Sequence, residues 1–150
     1  MAYLSTFSRV IYASRWVDPE RQDIGALLDD ILASSTHNNL ISGVTGLLLY
    51  REGWFLQALE GDLDAVDHVF DRIRRDGRHF DVRVVADEAT FDRVFADWSM
   101  CASHIADIPA VVLGQLGLAG TFDPARLDPE RALALLLAAA EARRDQARAA

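Results

Sequence analysis

Apolar and polar residues along this chain fall into alternating strand-like and helix-like stretches. Phe7 to Ser14 (FSRVIYAS) is rich in strand-forming residues and sets Val10, Tyr12 and Ser14 on one face of a pleat. Asp18-Pro19 then offers a helix cap followed by proline at the first helical position. Ile24, Leu27, Leu28, Ile31 and Leu32 continue with the spacing of an amphipathic helix, which the polar run Ser34 to Asn39 ends. Val44 to Tyr50 predicts a second strand, Arg51-Glu52-Gly53 a hairpin turn, and Gly53 to Gly61 (GWFLQALEG) a third strand. Gly61-Asp62 opens a second helix with Leu63, Val66, Phe70 and Ile73 as its apolar stripe. Asp76 to His79 closes that helix, and Val82 to Val85 predicts a fourth strand.

The order β-α-β-β-α-β is that of an α+β, ferredoxin-like split βαβ sandwich with two helices on one sheet face. The other face needs a cover, which the last third of the chain can supply. A short helix fits IPAVVLGQLGL, and a longer one begins at Asp128-Pro129, with Leu133, Leu136 and Leu137 as its stripe and Arg143, Arg144 and Arg148 towards its end. The reading is a domain over residues 1–104 and a C-terminal two-helix extension over 105–150, docked on the bare sheet face or on a second subunit.

Gln57 interrupts this pattern. It lies between Phe55 and Leu59 on one face of an otherwise apolar strand. A buried primary amide needs partners for two donors and one oxygen, and leaving a buried polar group unpaired costs about 1–3 kcal/mol. Something must receive that amide, either ordinary protein or a bound ligand.

Composition narrows what the ligand could be. With 150 residues, 51% hydrophobic and 25% charged, the chain suits one globular domain. A net charge of −8 argues against nucleic acid or an anionic membrane as partner. Cys101 is the single cysteine, so no internal disulfide can form, and a reducing cytoplasm is the expected setting. The N-terminus lacks the pattern of a signal peptide, and LALLLAAA is too short to span a bilayer.

Catalytic signatures are missing: there is no G-x-S-x-G, no phosphate-binding glycine loop, no H-E-x-x-H and no C-x-x-C pair. The four histidines lack metal-site spacing, and Asp64, Asp67, His68 and Asp71 read as a solvated acidic face rather than a metal site. Asn38 and Asn39 follow the first helix, where such a pair commonly serves as a cap or turn. Arg72 and Asp76 stand one turn apart and fit a surface ion pair equally well. Tyr12, taken alone, fits an ordinary strand tyrosine.

Five ordered motifs nevertheless make the chain resemble the BLUF family, blue-light sensors that use FAD. They are Tyr12-Ala13-Ser14, the segment SSTHNNLISGVTGLLLY, GWFLQALEG, Asp76-Gly77-Arg78-His79 and Trp98-Ser99-Met100, spread over Arg9 to Met100. The resemblance implies FAD held between the two helices, with Ile31 and Ile73 flanking the ring and Asn39, beside Asn38, bonding its polar edge. Tyr12, Ser14, Gln57, Arg72, Asp76, Arg78 and His79 complete the implied flavin site. Tyr12, Gln57, Trp98 and Met100 are the implied photoactive set, with the last two on a strand beside Gln57.

By that resemblance light drives an electron and a proton from Tyr12, and Gln57 rearranges its hydrogen bonds. The change passes through the Trp98–Met100 strand to the C-terminal helices. The expected protein is a cytoplasmic photoreceptor, not an enzyme and without a metal, a homodimer signalling to an unidentified protein partner. Two rivals share the fold class: a flavin-free ferredoxin-like interaction module, and a small acylphosphatase-like hydrolase.

Overall fold

The computed structural model describes residues 6–16, 43–51, 53–96, 101–104, 110–117 and 123–149, without the side chains of 101–104 and 146–149. The first predicted helix, and with it Ile31, Asn38 and Asn39, lies outside the described residues, as do Trp98 and Met100.

Five strands form one sheet: β1 (Phe7–Trp16), β2 (Thr45–Arg51), β3 (Trp54–Gly61), β4 (His79–Thr90) and β5 (Cys101–His104), in the order β4-β1-β3-β2-β5. The first four pair antiparallel, whereas β5 runs parallel to β2. This is the ferredoxin-like order read from the sequence, with a fifth strand added at the β2 edge. β5 therefore stands one strand away from β3, not beside it, because β2 intervenes. The hairpin between β2 and β3 turns through Gly53, whose φ of 84° suits glycine, and Trp16 N–H caps its carbonyl at 2.8 Å.

Helix α1 (Leu63–Arg74) packs on one face of the sheet, while α2 (Ala110–Gln115) and α3 (Pro129–Ala149) follow the last strand. Two apolar clusters lie on the two sheet faces. On the first, Val10, Tyr12, Val44 and Leu59 meet Val66, Val69 and Phe70 of α1. On the second, Ile11, Ala13, Leu47, Leu49, Leu56 and Ala58 meet Leu113, Leu127 and α3. Alternation along each strand accounts for the division: even positions of β1 face α1, and odd positions face the C-terminal cap.

Three details differ from the sequence reading. The buried stripe of α1 is Val66, Val69 and Phe70 with Ile73 half-buried, while Leu63 is 58% exposed. Positions 66, 69, 70 and 73 keep the helical period, which 63 leaves once 69 is included. Strand β4 runs from His79, not from Val82, so His79 belongs to the sheet and not to a helix end. As an edge strand it is held by main-chain pairing to β1, with register shifts opposite Ile11/Tyr12 and Ala13/Arg15, so its side chains are mostly exposed and leave little apolar pattern. On α3 the buried face is Ala132, Leu135, Leu136, Ala139 and Ala140, whereas Leu137 is exposed. Alanines on that face let the helix approach the sheet closely, and a search for large residues passes over them. Asp128 caps α3 as its sequence suggests, accepting from Arg131 N–H at 2.7 Å with Pro129 next in line.

Candidate functional site

A cleft of about 440 Å³, open to solvent, lies on the α1 face and is lined by Tyr12, Leu48, Phe55, Gln57, Ile73, Asp76, Arg78 and His79. Its floor follows from strand register. Tyr12 of β1 and Leu48 of β2 both stand directly opposite Gln57 of β3, so the three side chains emerge side by side on one face. The Tyr12 hydroxyl donates to Gln57 Oε1, and both residues are almost wholly buried. The Tyr12 ring packs against Phe70 at 5.3 Å between centroids and meets His79 edge-on at 6.3 Å. Burial pushes the Tyr12 phenol well above its ordinary range, and the negative charge of Asp76 adds to the effect. The phenol thus stays protonated while its proton points at the amide oxygen.

The rim is built by the tight turn between α1 and β4. Asp76 accepts from the Arg78 backbone N–H at 3.0 Å and from its guanidinium through both carboxylate oxygens. Those bonds to Arg78 hold the Asp76 carboxyl below the usual carboxylate range, against a smaller opposing push from partial burial. His79 ties three elements together: Nε2 lies 2.6 Å from the Ile73 carbonyl, and Nδ1 lies 2.8 Å from Ser14 Oγ. A carbonyl can only accept, so Nε2 carries the hydrogen and a neutral ring accepts from Ser14 at Nδ1.

Of the residues singled out in the sequence, Tyr12, Gln57, Ile73, Asp76, Arg78 and His79 converge on this cleft, and Ser14 stands behind it as the His79 partner. Arg72 does not join them; it is exposed on the last turn of α1, and Asp76 pairs with Arg78 instead of with Arg72. Leu48 and Phe55 are lining residues that the motif reading passed over. The hairpin could have supplied Leu48, since pairing Arg51 with Trp54 at its closed end fixes which β2 residue faces Gln57. Asp64, Asp67, His68 and Asp71 are all exposed along α1, and no cluster of three or more potential metal ligands occurs among the described residues.

Residues 7–101 match the family model described as BLUF, sensors of blue light using FAD. The chain belongs to the BLUF family. Among curated relatives, the photoactivated adenylate cyclase subunit alpha of Euglena gracilis is 34% identical over 100 residues, and subunit beta of the same organism 34% identical over 119. Those matches cover 67% and 75% of this chain but only 10% and 13% of the relatives, so the chain spans about a tenth of their length. Two solved BLUF structures cover much more of both partners. BlsA in its photo-activated state superposes with a TM-score of 0.77 at 27% identity, covering 87% of this chain and 91% of BlsA. BlrB in its dark state gives 0.67 at 30% identity, covering 88% and 98%.

The cleft fits the flavin that a BLUF domain uses. Leu48, Phe55 and Ile73 give it apolar walls suited to a flat ring, while Gln57, Arg78 and His79 offer polar groups at floor and rim. Among the described residues, no helix is long and apolar enough to cross a membrane.

Proposed function

We propose that this chain is a blue-light photoreceptor in which Tyr12 and Gln57 convert light absorption into a change of hydrogen bonding. One observation carries the reading: the Tyr12 phenol is buried and its hydroxyl is aimed at Gln57 Oε1 on the floor of the cleft. When bound, FAD supplies the light absorption and the electron acceptor. Tyr12 is the electron source, and loss of an electron makes its phenolic proton strongly acidic. Gln57 Oε1 is the acceptor already in place for that proton. A primary amide presents an oxygen on one side and an N–H on the other, so rotation or tautomerisation exchanges what each neighbour meets. The rearranged amide then hydrogen-bonds more strongly to the chromophore and shifts its absorption to the red.

The other residues hold the chromophore. Ile73 and Phe55 bound the ring, Arg78 offers a positive charge whose position Asp76 fixes, and His79 keeps the turn after α1 tied to β1 through Ser14. Ile31, Asn38, Asn39 and Arg72 remain part of the proposed contact set by family resemblance, as do Trp98 and Met100 of the relay. Residues 1–104 act as the sensor, and residues 105–150 as a cap whose contact with the sheet, or with a protein partner or second copy, the light reaction biases.

Purified protein should be yellow, and blue light should shift its absorption reversibly to the red without bleaching. Gln57→Leu should keep the flavin and lose the shift. A normal shift in that variant would refute the role of the amide, and a colourless wild-type protein would favour a flavin-free interaction module.

A further inference from the structure

Glu60 lies three residues beyond Gln57 on β3 and, by alternation, on the opposite sheet face, facing the C-terminal cap. It is fully buried, yet its carboxylate is not spent on an ordinary surface pair. Oε2 accepts from Arg9 Nε at 2.9 Å and from the Val94 backbone N–H at 3.1 Å, and Oε1 accepts from the Phe95 backbone N–H at 2.6 Å. Flanking residues strengthen the grip on the same short stretch of chain. Arg9 also donates to the Asp92 carbonyl at 3.3 Å. Arg93 reaches the Gly43 carbonyl at 3.0 Å, Thr45 Oγ1 at 2.6 Å and the Glu60 carbonyl at 3.1 Å. Four successive residues, 92 to 95, are thereby fastened to β1, β3 and the start of β2, although they form no strand themselves.

That stretch precedes β5, and Phe95, fully buried, belongs to the same apolar cluster as Leu135, Leu136 and Ala139 of α3. A chain held by side-chain bonds to one strand follows that strand when it moves. We propose that Glu60 is the positioning residue that couples β3 beneath the pocket to the segment entering β5 and, through Phe95, to the C-terminal cap. This rests on the photoreceptor reading above, in which the change begins at Gln57 on the same strand. Charge-assisted bonds from a carboxylate to backbone N–H groups are short and directional, which makes them suited to transmit a sub-ångström strand shift.

The test uses the full chain loaded with FAD and reads two quantities together: the light-induced red shift, and hydrogen exchange in the dark and under light. Glu60→Gln keeps the shape but replaces one accepting oxygen by an NH2 donor that faces other donors. Expected are an unchanged red shift, roughly tenfold or faster dark exchange at Val94 and Phe95, and loss of the light-dark difference in residues 129–145 seen in the wild type. An intact red shift with an intact light-dark difference in 129–145, or with unaltered exchange at Val94 and Phe95, overturns the coupling role. So does a wild type that shifts normally but shows no light-dark difference in the cap. Should Glu60→Gln fail to fold, Phe95→Leu keeps the carboxylate contacts and removes the ring. It must then lose the cap response while keeping the red shift, and a retained response refutes the relay. A wild type with no red shift refutes the photoreceptor reading itself, and the two failures are thus told apart.

Discussion

Replacing Tyr12 by phenylalanine should change stability in opposite directions at neutral and at alkaline pH. At pH 7 the variant loses the hydroxyl bond to Gln57 Oε1, worth about 0.5–1.5 kcal/mol net. The ring itself and its contact with Phe70 remain, so the fold is kept. At high pH the sign reverses. The Tyr12 phenol ionises near 10 in the unfolded chain, whereas burial raises it in the fold. A raised value means that the folded state holds a proton the unfolded state gives up. The stabilisation is therefore fully present below about pH 10 and is lost above it, at about 1.4 kcal/mol per pH unit. A deficit of about 1 kcal/mol at pH 7 is erased within about one pH unit, so the two stability curves should meet near pH 11 and then cross. The chain contains three tyrosines and no lysine, and the difference between wild type and variant isolates Tyr12. Urea unfolding of both proteins at matched flavin content, at pH 7, 9, 10 and 11, measures the crossing. Parallel curves through pH 11 would refute the argument, because they would mean that the phenol ionises within the folded protein.

Three further substitutions probe other parts of the fold. Gly46→Ala should cost about 1–3 kcal/mol or more, because a methyl group there overlaps the Ala58 carbonyl in the adjoining strand; an unchanged melting temperature would contradict the close β2–β3 approach. Leu136→Ala, at a fully buried position of α3, should cost about 2–5 kcal/mol and lower the melting temperature by about 4 °C or more. A change within about 0.5 kcal/mol would mean that α3 does not pack on the sheet. Asp76→Asn should flatten the acid side of the stability curve. The Asp76 carboxyl is depressed in the fold, so its contribution is present above the ordinary carboxylate range and is lost as pH falls through the folded value. Urea titrations from pH 6 down to pH 3 would show identical slopes for both proteins if that bond carried nothing.

The inner strands are legible in the sequence, and the periphery is less so. β1 and β3 alternate between two buried faces, and the period of two alone assigns each of their residues to a face. β4 pairs along one edge only, through its backbone, so its polar, exposed side chains carry no period from which twelve residues could be read. The buried face of α3 is half alanine, and a stripe sought among leucines lands one position off. In the site, Tyr12, Gln57 and the turn at Asp76 to His79 stand out through motifs, because each residue type there answers a chemical need. Arg72 neighbours Ile73 on α1 but is exposed and does not line the cleft, and helical spacing alone does not separate the two. The hold of Glu60 on the chain ahead of β5 leaves no sequence signal, because those partners are backbone N–H groups more than thirty residues away, and every sequence has those.

Both buried polar pairs of β1 and β3 lie directly across from one another: Tyr12 faces Gln57, and Arg9 faces Glu60. They sit on opposite faces of the same two strands, one pair towards α1 and the other towards the cap. Sliding β3 by one residue would turn Gln57 towards the apolar cap and Glu60 towards the cleft, leaving each polar group among the wrong neighbours. Apolar side chains could not impose that penalty, since leucine and isoleucine pack acceptably on either face. Removing one member of the buried pair, as in Arg9→Met, leaves Glu60 with a buried charge that only backbone N–H groups compensate, at a cost of about 3–5 kcal/mol. The polar residues that face the cleft and the cap thus also fix the register on which both depend, and two of them, Gln57 and Glu60, lie on β3, between β1 and β2.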